Sequence, residues 1–453
     1  MKTVLIANRG EIAVRVIRTC KKIGLRSVAV YSESDEGSMH TRLADESVCI
    51  GPRAPEKSYL NIDGIIAAAK AFNADLIHPG FGFLSENAAF RQACDEEGIR
   101  FIGPSAESMI LMGDKQRARE LVAENGFPVV PGSDGCVDSL EDAVAVSKRT
   151  GYPLMIKAAS GGGGRGIRIV KNEQELLNSF PIACREAEVS FGDRRVYLES
   201  YLPNARHIEV QVLADEYGNA IHLGTRECTL QRKNQKIIEE APASNVDPAV
   251  IAAIQDTAVG IVRKLGYFNA GTIEFLLSED GKFYFMEMNT RIQVEHPVTE
   301  CIYGVDLIKA QIHVALSHKL SIKQKDIVPK GHAIECRINA EDPARNFMPS
   351  PGIITKMVLP GGNGVRVDTG FCEGDEIPPY YDSMIMKIIC MGDDRLEAIR
   401  AAGCALEELK IEGVSTSAAF SKAILKDDDF IKGRIHTKWI EQVFIDRFMR
   451  SVQ

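Results

Sequence analysis

Hydrophobic and polar positions set up an alternation of short apolar runs and amphipathic stretches from the first residues onward. Residues 3–7 form a strand-like run, followed by Asn8-Arg9-Gly10 and a stretch with Ile12, Val16 and Cys20 on one helical face. Gly24 ends that stretch, and Val28-Ala29-Val30 begins a second strand. Strand, helix, strand in this order predicts a βαβ unit, hence a parallel sheet with helices on both faces. Further strand signals lie at Ala74–Ile77 and Phe101-Ile102-Gly103, with Ser85 and Gly98 as candidate caps of the helix between them. The glycine fingerprint of a dinucleotide site is missing at the first turn, where Asn-Arg-Gly stands instead.

A second helical pattern opens at Asp114-Lys115 and runs to Gly126. Pro128, Pro131 and Gly132 then punctuate the chain before a small unit: a helix near 139–149, a strand at Leu154–Ala158, a glycine run, and a strand at Gly166–Val170. From about 205 to 330 the pattern predicts a mixed sheet with helices, and from His332 to about 441 short strands and turns. No internal repeat or low-complexity linker interrupts it.

At 453 residues the chain has room for several domains of about 150 residues each. Its 45% hydrophobic and 26% charged residues are those of an ordinary globular protein. The net charge of −8 argues against a nucleic-acid surface. No run is long and apolar enough for a membrane span, and no signal segment precedes the first strand, so a cytoplasmic protein is expected. The eleven cysteines include no CxxC pair, which predicts reduced, mostly buried thiols.

Candidate chemistry gathers at two places. Gly161-Gly162-Gly163-Gly164-Arg165-Gly166 lies between two strands, without the following helix of a dinucleotide site or the Lys-Ser/Thr ending of a P-loop. A glycine-rich hairpin tip there suits a flap whose backbone amides close over phosphates. Lys157 leads into it and Lys115 heads the earlier helix. In the second place, Asp280-Gly281 is a strong hairpin signal. A two-residue turn there sets Glu274 opposite Glu287, and facing carboxylates require a compensating charge such as a divalent cation. Continuing in steps of two gives Asn289, Arg291, Gln293 and Glu295 on one face if the chain stays extended.

These segments together resemble the biotin carboxylase family of the ATP-grasp superfamily. The stretches that carry the resemblance are ANRGEIAVR (7–15), HPGFGFLSEN (78–87), GDK (113–115), IKAASGGGGRG (156–166), QRKNQK (231–236), EEAPA (239–243), EMNTRIQVEHPVTE (287–300) and ECRINAEDP (335–343). The resemblance implies a doubly wound parallel-sheet domain at 1–113 and an ATP-grasp core at 114–330 with a mobile lid at about 131–203. It also implies a C-terminal mixed-sheet domain at 331–441 and a tail at 442–453. Bicarbonate would attack MgATP (or the Mn²⁺ complex) to give carboxyphosphate, and the carboxyl group would pass to biotin.

By resemblance, Lys115, Lys157, Gly162, Gly163, Gly164 and His207 would hold ATP phosphates. Glu199 and Leu202 would line the adenine pocket, with Gln231 and Asn234 on the ribose side. Glu274, Glu287 and Asn289 would hold the metal. Lys236, Arg291, Gln293 and the Val294 backbone would bind bicarbonate, Glu295 would deprotonate it, and Arg337 would stabilise the enolate-like oxygen of biotin. Two positions depart from the common family pattern: Asn234 replaces histidine, and Phe81 replaces a tyrosine beside biotin. Met386-Lys387 lacks the Ala-Met-Lys-Met context of a biotinylated lysine, so biotin is expected on a separate carrier protein, with a separate carboxyltransferase and a homodimeric enzyme. Acetyl-CoA carboxylase is the first host to consider, and a split pyruvate carboxylase or another acyl-CoA carboxylase the alternative. Two other readings compete: an ATP-grasp ligase for another carboxylate, and a non-catalytic nucleotide-binding regulatory subunit.

Overall fold

The computed structural model describes residues 1–160 and 166–452. The first five strands are β1 (Thr3–Ile6), β2 (Arg26–Tyr31), β3 (Glu46–Cys49), β4 (Leu76–His78) and β5 (Arg100–Phe101). They form one parallel sheet in the order β3-β2-β1-β4-β5. The helix Gly10–Lys22 follows β1 at once and buries Ile12, Val16 and Cys20, the face set by their spacing. The order reverses between β1 and β4, so the crevice beyond their C-terminal ends is a topological switch point, where ligands bind in such sheets. There the Asn8 amide donates to the carbonyls of Pro79 (2.6 Å) and Phe81 (2.8 Å), tying the two loops together. The helix after β4 starts later than its candidate cap. Asn87, not Ser85, accepts from the Phe90 amide at its N-terminus (2.9 Å). Gly98 closes its C-terminal side at a φ of +69°, which favours glycine.

The small unit is a three-stranded antiparallel sheet: β6 (Leu154–Ala158) between β7 (Ile167–Val170) and β8 (Val196–Ser200). The helices Leu140–Thr150 and Glu173–Phe191 cover it around Leu154, Ile156, Leu176 and Phe180. The glycines Gly162, Gly163 and Gly164 lie outside the described residues.

Strands β9 (Arg206–Ala214), β10 (Ala220–Arg232), β11 (Gln235–Ala241), β12 (Asn269–Leu277), β13 (Phe283–Asn289) and β14 (His332–Asn339) join Val365–Thr369 and Met384–Gly392 in one eight-stranded sheet. Where the sequence pattern predicts a mixed sheet, every pairing here is antiparallel. The sheet also runs through the expected boundary at 330: β11 pairs with β14, Glu239 directly opposite Glu335. Residues 442–453, expected as a tail, include the helix Ile445–Val452. Phe444 and Phe448 anchor this end edge-on against Phe420, with ring centroids 5.2 and 4.9 Å away. That aromatic contact makes the segment part of the C-terminal core. The eleven thiols are all free, and most are buried. Among the described residues no helix is long and apolar enough to cross a membrane.

One buried ion cluster staples β11 to this C-terminal region. Arg395 donates to both oxygens of Glu240 (2.6 and 3.0 Å), and His332 Nε2 lies 2.7 Å from the same carboxylate. Burial pushes the Glu240 carboxyl up, but His332 and Arg395 overcome it and pull it down to about 2. A lowered carboxyl pKa adds stability above its unfolded value of 4.5, and that stability is lost as pH falls toward 2. Arg395→Ala should therefore destabilise the fold by about 3–5 kcal/mol at neutral pH and move acid unfolding to higher pH, read by circular dichroism.

Candidate active site

A cavity of about 760 Å³ opens where the switch-point loops, the three-stranded unit and the eight-stranded sheet converge. Met155, Ile167, Leu202, Leu276 and Met286 make part of its lining apolar, a surface suited to an aromatic base. Lys157 there donates to Glu199, and Arg119 Nε lies 3.5 Å from the same carboxylate. Lys115, at the start of its helix, sits 2.6 Å from Glu287. Burial lowers the Lys115 ammonium, but Glu287 and other carboxylates hold it above its ordinary value.

Glu274 and Glu287 do face each other, for two offsetting reasons. The turn is one residue longer than expected: the Ser278 amide donates to the Lys282 carbonyl (2.8 Å), leaving Glu279, Asp280 and Gly281 as a three-residue loop with Gly281 at a φ of +80°. That pairs Phe275 with Phe285, one step out of the expected register. A bulge at Met286 then restores it, so Glu274 meets Glu287 and Thr272 meets Asn289. The extended run beyond Asn289 is not observed. Strand β13 ends there, and Glu295 stands at the head of the helix His296–Tyr303. The polar side chains converge all the same. Asn289 (2.9 Å) and Gln293 (3.0 Å) both donate to Glu274, and Arg291 donates to Gln293 (2.9 Å) and Asn289 (3.0 Å).

At the floor of the cavity Lys236 is a hub. Its ammonium donates to Glu295 (2.5 Å), Glu209 (2.7 Å) and Glu274 (3.2 Å), while His207 Nε2 stands 3.0 Å from Glu274. His207 Nδ1 lies 2.6 Å from the Gln231 amide. Arg337 donates through Nη2 to Glu295 (2.9 Å) and through Nε to Glu239 (2.6 Å). Burial pushes the Glu295 carboxyl up, but Lys236, Arg337 and Arg226 outweigh it and hold it well below the ordinary carboxylate range. Glu295 is fully buried and does not itself line the cavity; Lys236 and Arg337 stand between it and the open space. The same balance keeps Glu274 ionised: burial opposes it, and Lys236 and His207 prevail.

The other sequence-derived site residues outside the glycine run all line this cavity, among them Phe81, Asn234 and Val294. The Val294 carbonyl accepts from Lys387 (2.7 Å), and Phe81 lies 6.0 Å from that ammonium. Sequence reasoning weighs Lys387 only as a biotinylated lysine, which it rejects, and does not single out Glu86 or Tyr381. Glu86 accepts from the Thr290 amide (2.9 Å) and Arg291 Nε (2.8 Å), fixing the guanidinium from the neighbouring domain. Tyr381 lines the cavity and stacks under Arg9, 4.4 Å from its ring centroid. Two lysines, apolar side chains and a carboxylate pair thus share one cavity, whose lining also includes the cations Lys236, Arg291 and Arg337.

Three family profiles match in succession. "Biotin carboxylase, N-terminal domain" covers residues 1–109, "Carbamoyl-phosphate synthase L chain, ATP binding domain" 114–323, and "Biotin carboxylase C-terminal domain" 335–442. Biotin carboxylase 1 of Bacillus subtilis is 51% identical over 442 residues, 97% of this chain and 98% of its own. The chain belongs to the biotin carboxylase family. A pyruvate carboxylase subunit of Methanothermobacter thermautotrophicus is 50% identical over 451 residues, 99% of this chain and 92% of that relative. Among solved structures, the biotin carboxylase domain dimer of Hydrogenobacter thermophilus 2-oxoglutarate carboxylase, in complex with MgADP, ADP and bicarbonate, superposes with a TM-score of 0.92. It is 47% identical, over 97% of each chain. The biotin carboxylase fold thus carries an ATP-grasp core between its two flanking domains.

Lys236 offsets three buried carboxylates at once, so Lys236→Met should cost about 3–5 kcal/mol at neutral pH. The deficit should shrink as pH is lowered and those carboxyls take up protons, which thermal melts across pH would read.

Proposed function

We propose that this biotin carboxylase uses ATP to convert bicarbonate to carboxyphosphate and passes the carboxyl group to biotin presented on a separate carrier chain. The observation that carries this reading is Glu295, held ionised between Lys236 and Arg337 where the ATP-grasp strands meet β14. A carboxylate kept charged in a buried site is a base in waiting, but it becomes reachable only when a ligand draws Lys236 or Arg337 away. An anion such as bicarbonate has the charge to do that, assisted by Arg291, Gln293 and the Val294 backbone. Glu295 then takes the proton of bicarbonate, whose oxygen attacks the γ-phosphate.

Nucleotide binding follows the same logic of exchange. Lys115, Lys157 and His207 rest on Glu287, Glu199 and Glu274, and phosphates would take their place as partners. Glu199 and Leu202 would border the base, Gln231 and Asn234 the ribose, and Gly162, Gly163 and Gly164 would close over the phosphates. The oxygen donors of Glu274, Glu287 and Asn289, brought together across two paired strands, fit a hard cation such as Mg²⁺ or Mn²⁺. When bound, that ion supplies charge neutralisation for the phosphoryl group in flight. Arg337 would stabilise the oxygen of biotin as its ring nitrogen becomes nucleophilic, with Phe81 beside the ring.

The 1–113, 114–330 (lid about 131–203) and 331–441 division is proposed as the functional one. A separate carrier protein and carboxyltransferase, a homodimer and a cytoplasmic setting complete the reading. Acetyl-CoA carboxylase is the proposed host, with a split pyruvate carboxylase as the alternative, supported by the Methanothermobacter relative. A ligase for another carboxylate, or a protein that only binds nucleotide, has no need of a base and an oxyanion cation in this pairing.

Purified protein should cleave ATP only with bicarbonate and faster with free biotin. Glu295→Ala and Arg337→Ala should each lower that rate about a hundredfold or more. ATP cleavage indifferent to bicarbonate would sink the proposal. Glu86→Ala releases one hydrogen-bonding side of Arg291 and should raise the KM for bicarbonate about tenfold while leaving the KM for ATP unchanged, read by steady-state kinetics.

A further inference from the structure

Two buried carboxyl groups have no part in the chemistry above. Glu239 on β11 and Glu335 on β14 are directly paired across the sheet, so their side chains leave the same face. Both are fully buried, and neither lines the cavity. Arg337, two residues on from Glu335, shares that face and donates to Glu239, and Lys387 on the next strand lies opposite Arg337.

The available cations are committed elsewhere. Arg337 is divided between Glu239 and Glu295, and Lys236 serves Glu295, Glu209 and Glu274. Lys387 stands 3.0 Å from Glu11 and donates to the Val294 carbonyl. Among the described residues, neither oxygen of Glu335 has a hydrogen-bond partner, and Glu239 Oε2 has none. An isolated carboxylate in that setting costs far more than a neutral acid. Burial pushes the Glu335 carboxyl well up and outweighs the pull of Lys387, with Glu239 and Glu295 acting in the same direction as burial; burial also pushes Glu239 up, to about 7, against the opposing pull of Arg337.

We propose that Glu335 is a resident neutral carboxylic acid, so that Arg337 is held by Glu239 and Glu295 without a third carboxylate cancelling its charge. With Glu335 ionised, three carboxylates would crowd one guanidinium, and the positive potential offered to a developing oxyanion would be spent. With Glu335 neutral, Arg337 is braced from two sides by Glu239 and Glu295 and stays cationic toward the cavity. Glu239 is thus a positioning residue that acts through Arg337, and Glu335 is the neutral neighbour that leaves that charge intact, a reading that rests on the role given to Arg337 above.

Infrared difference spectra of resting wild-type protein against Glu335→Gln should show one protonated-carboxyl carbonyl band that persists across neutral pH and is absent from the variant. Because glutamine preserves the neutral state, Glu335→Gln should fold and keep biotin-dependent kcat within about twofold, whereas Glu239→Gln should lose about tenfold in kcat with the KM for ATP unchanged. Absence of the band, or a Glu335→Gln protein that is unfolded or inactive, overturns the proposal. Failure of the carboxylase reading itself would appear separately, as wild-type protein without biotin-stimulated turnover, and leaves the spectroscopic result to be read on its own.

Discussion

The contact between Lys236, Glu295 and Arg337 is the constraint around which the site is organised. It places one carboxylate and two cations in one buried chain of charge-assisted hydrogen bonds. Three strands and a helix start must meet for it to form: Lys236 comes from β11, Arg337 from β14, Glu209 from β9, and Glu295 from the head of a helix. Each of these groups would be costly alone in such a place. Together they are satisfied, and the resting site is a closed set of ion pairs that substrates of the right charge can reopen.

That closed state reconciles two demands that usually conflict. A phosphoryl-transfer site needs many cations, and a folded protein tolerates few of them unpaired. Here each cation rests on a carboxylate: Lys115 on Glu287, Lys157 on Glu199, Lys236 on Glu295. On the proposed reading, anionic substrates would compete for the cations and a metal for Glu287. The two exchanges help each other, because each removes the partner the other would have left behind.

Much of this can be seen in the residues alone, and the exceptions are instructive. The opening βαβ unit follows from apolar spacing because both its periodicities are local. The pairing of Glu274 with Glu287 is legible only by cancellation: an expected loop one residue too short and an unseen bulge at Met286 compensate. Bulges leave no reliable mark in a single sequence, since the extra residue is an ordinary one. The polar row to Glu295 is recognisable by alternation, yet its residues converge through a bent segment and a helix start rather than a strand. The contacts of Glu86, Glu239 and Glu335 escape notice for another reason. Their importance lies in partners 205 residues away, as with Glu86 and Arg291, or directly across a strand pair formed by distant segments.

The uninterrupted ladder between β11 and β14 has a mechanical corollary. Hinging the C-terminal region away from the ATP-grasp core at that seam means tearing backbone hydrogen bonds and pulling Arg337 off Glu239 and Glu295 together. These two parts therefore behave as one anvil. Among the described residues the three-stranded unit around β6 shares no strand with that anvil, so this seam does not bind it to the block beneath.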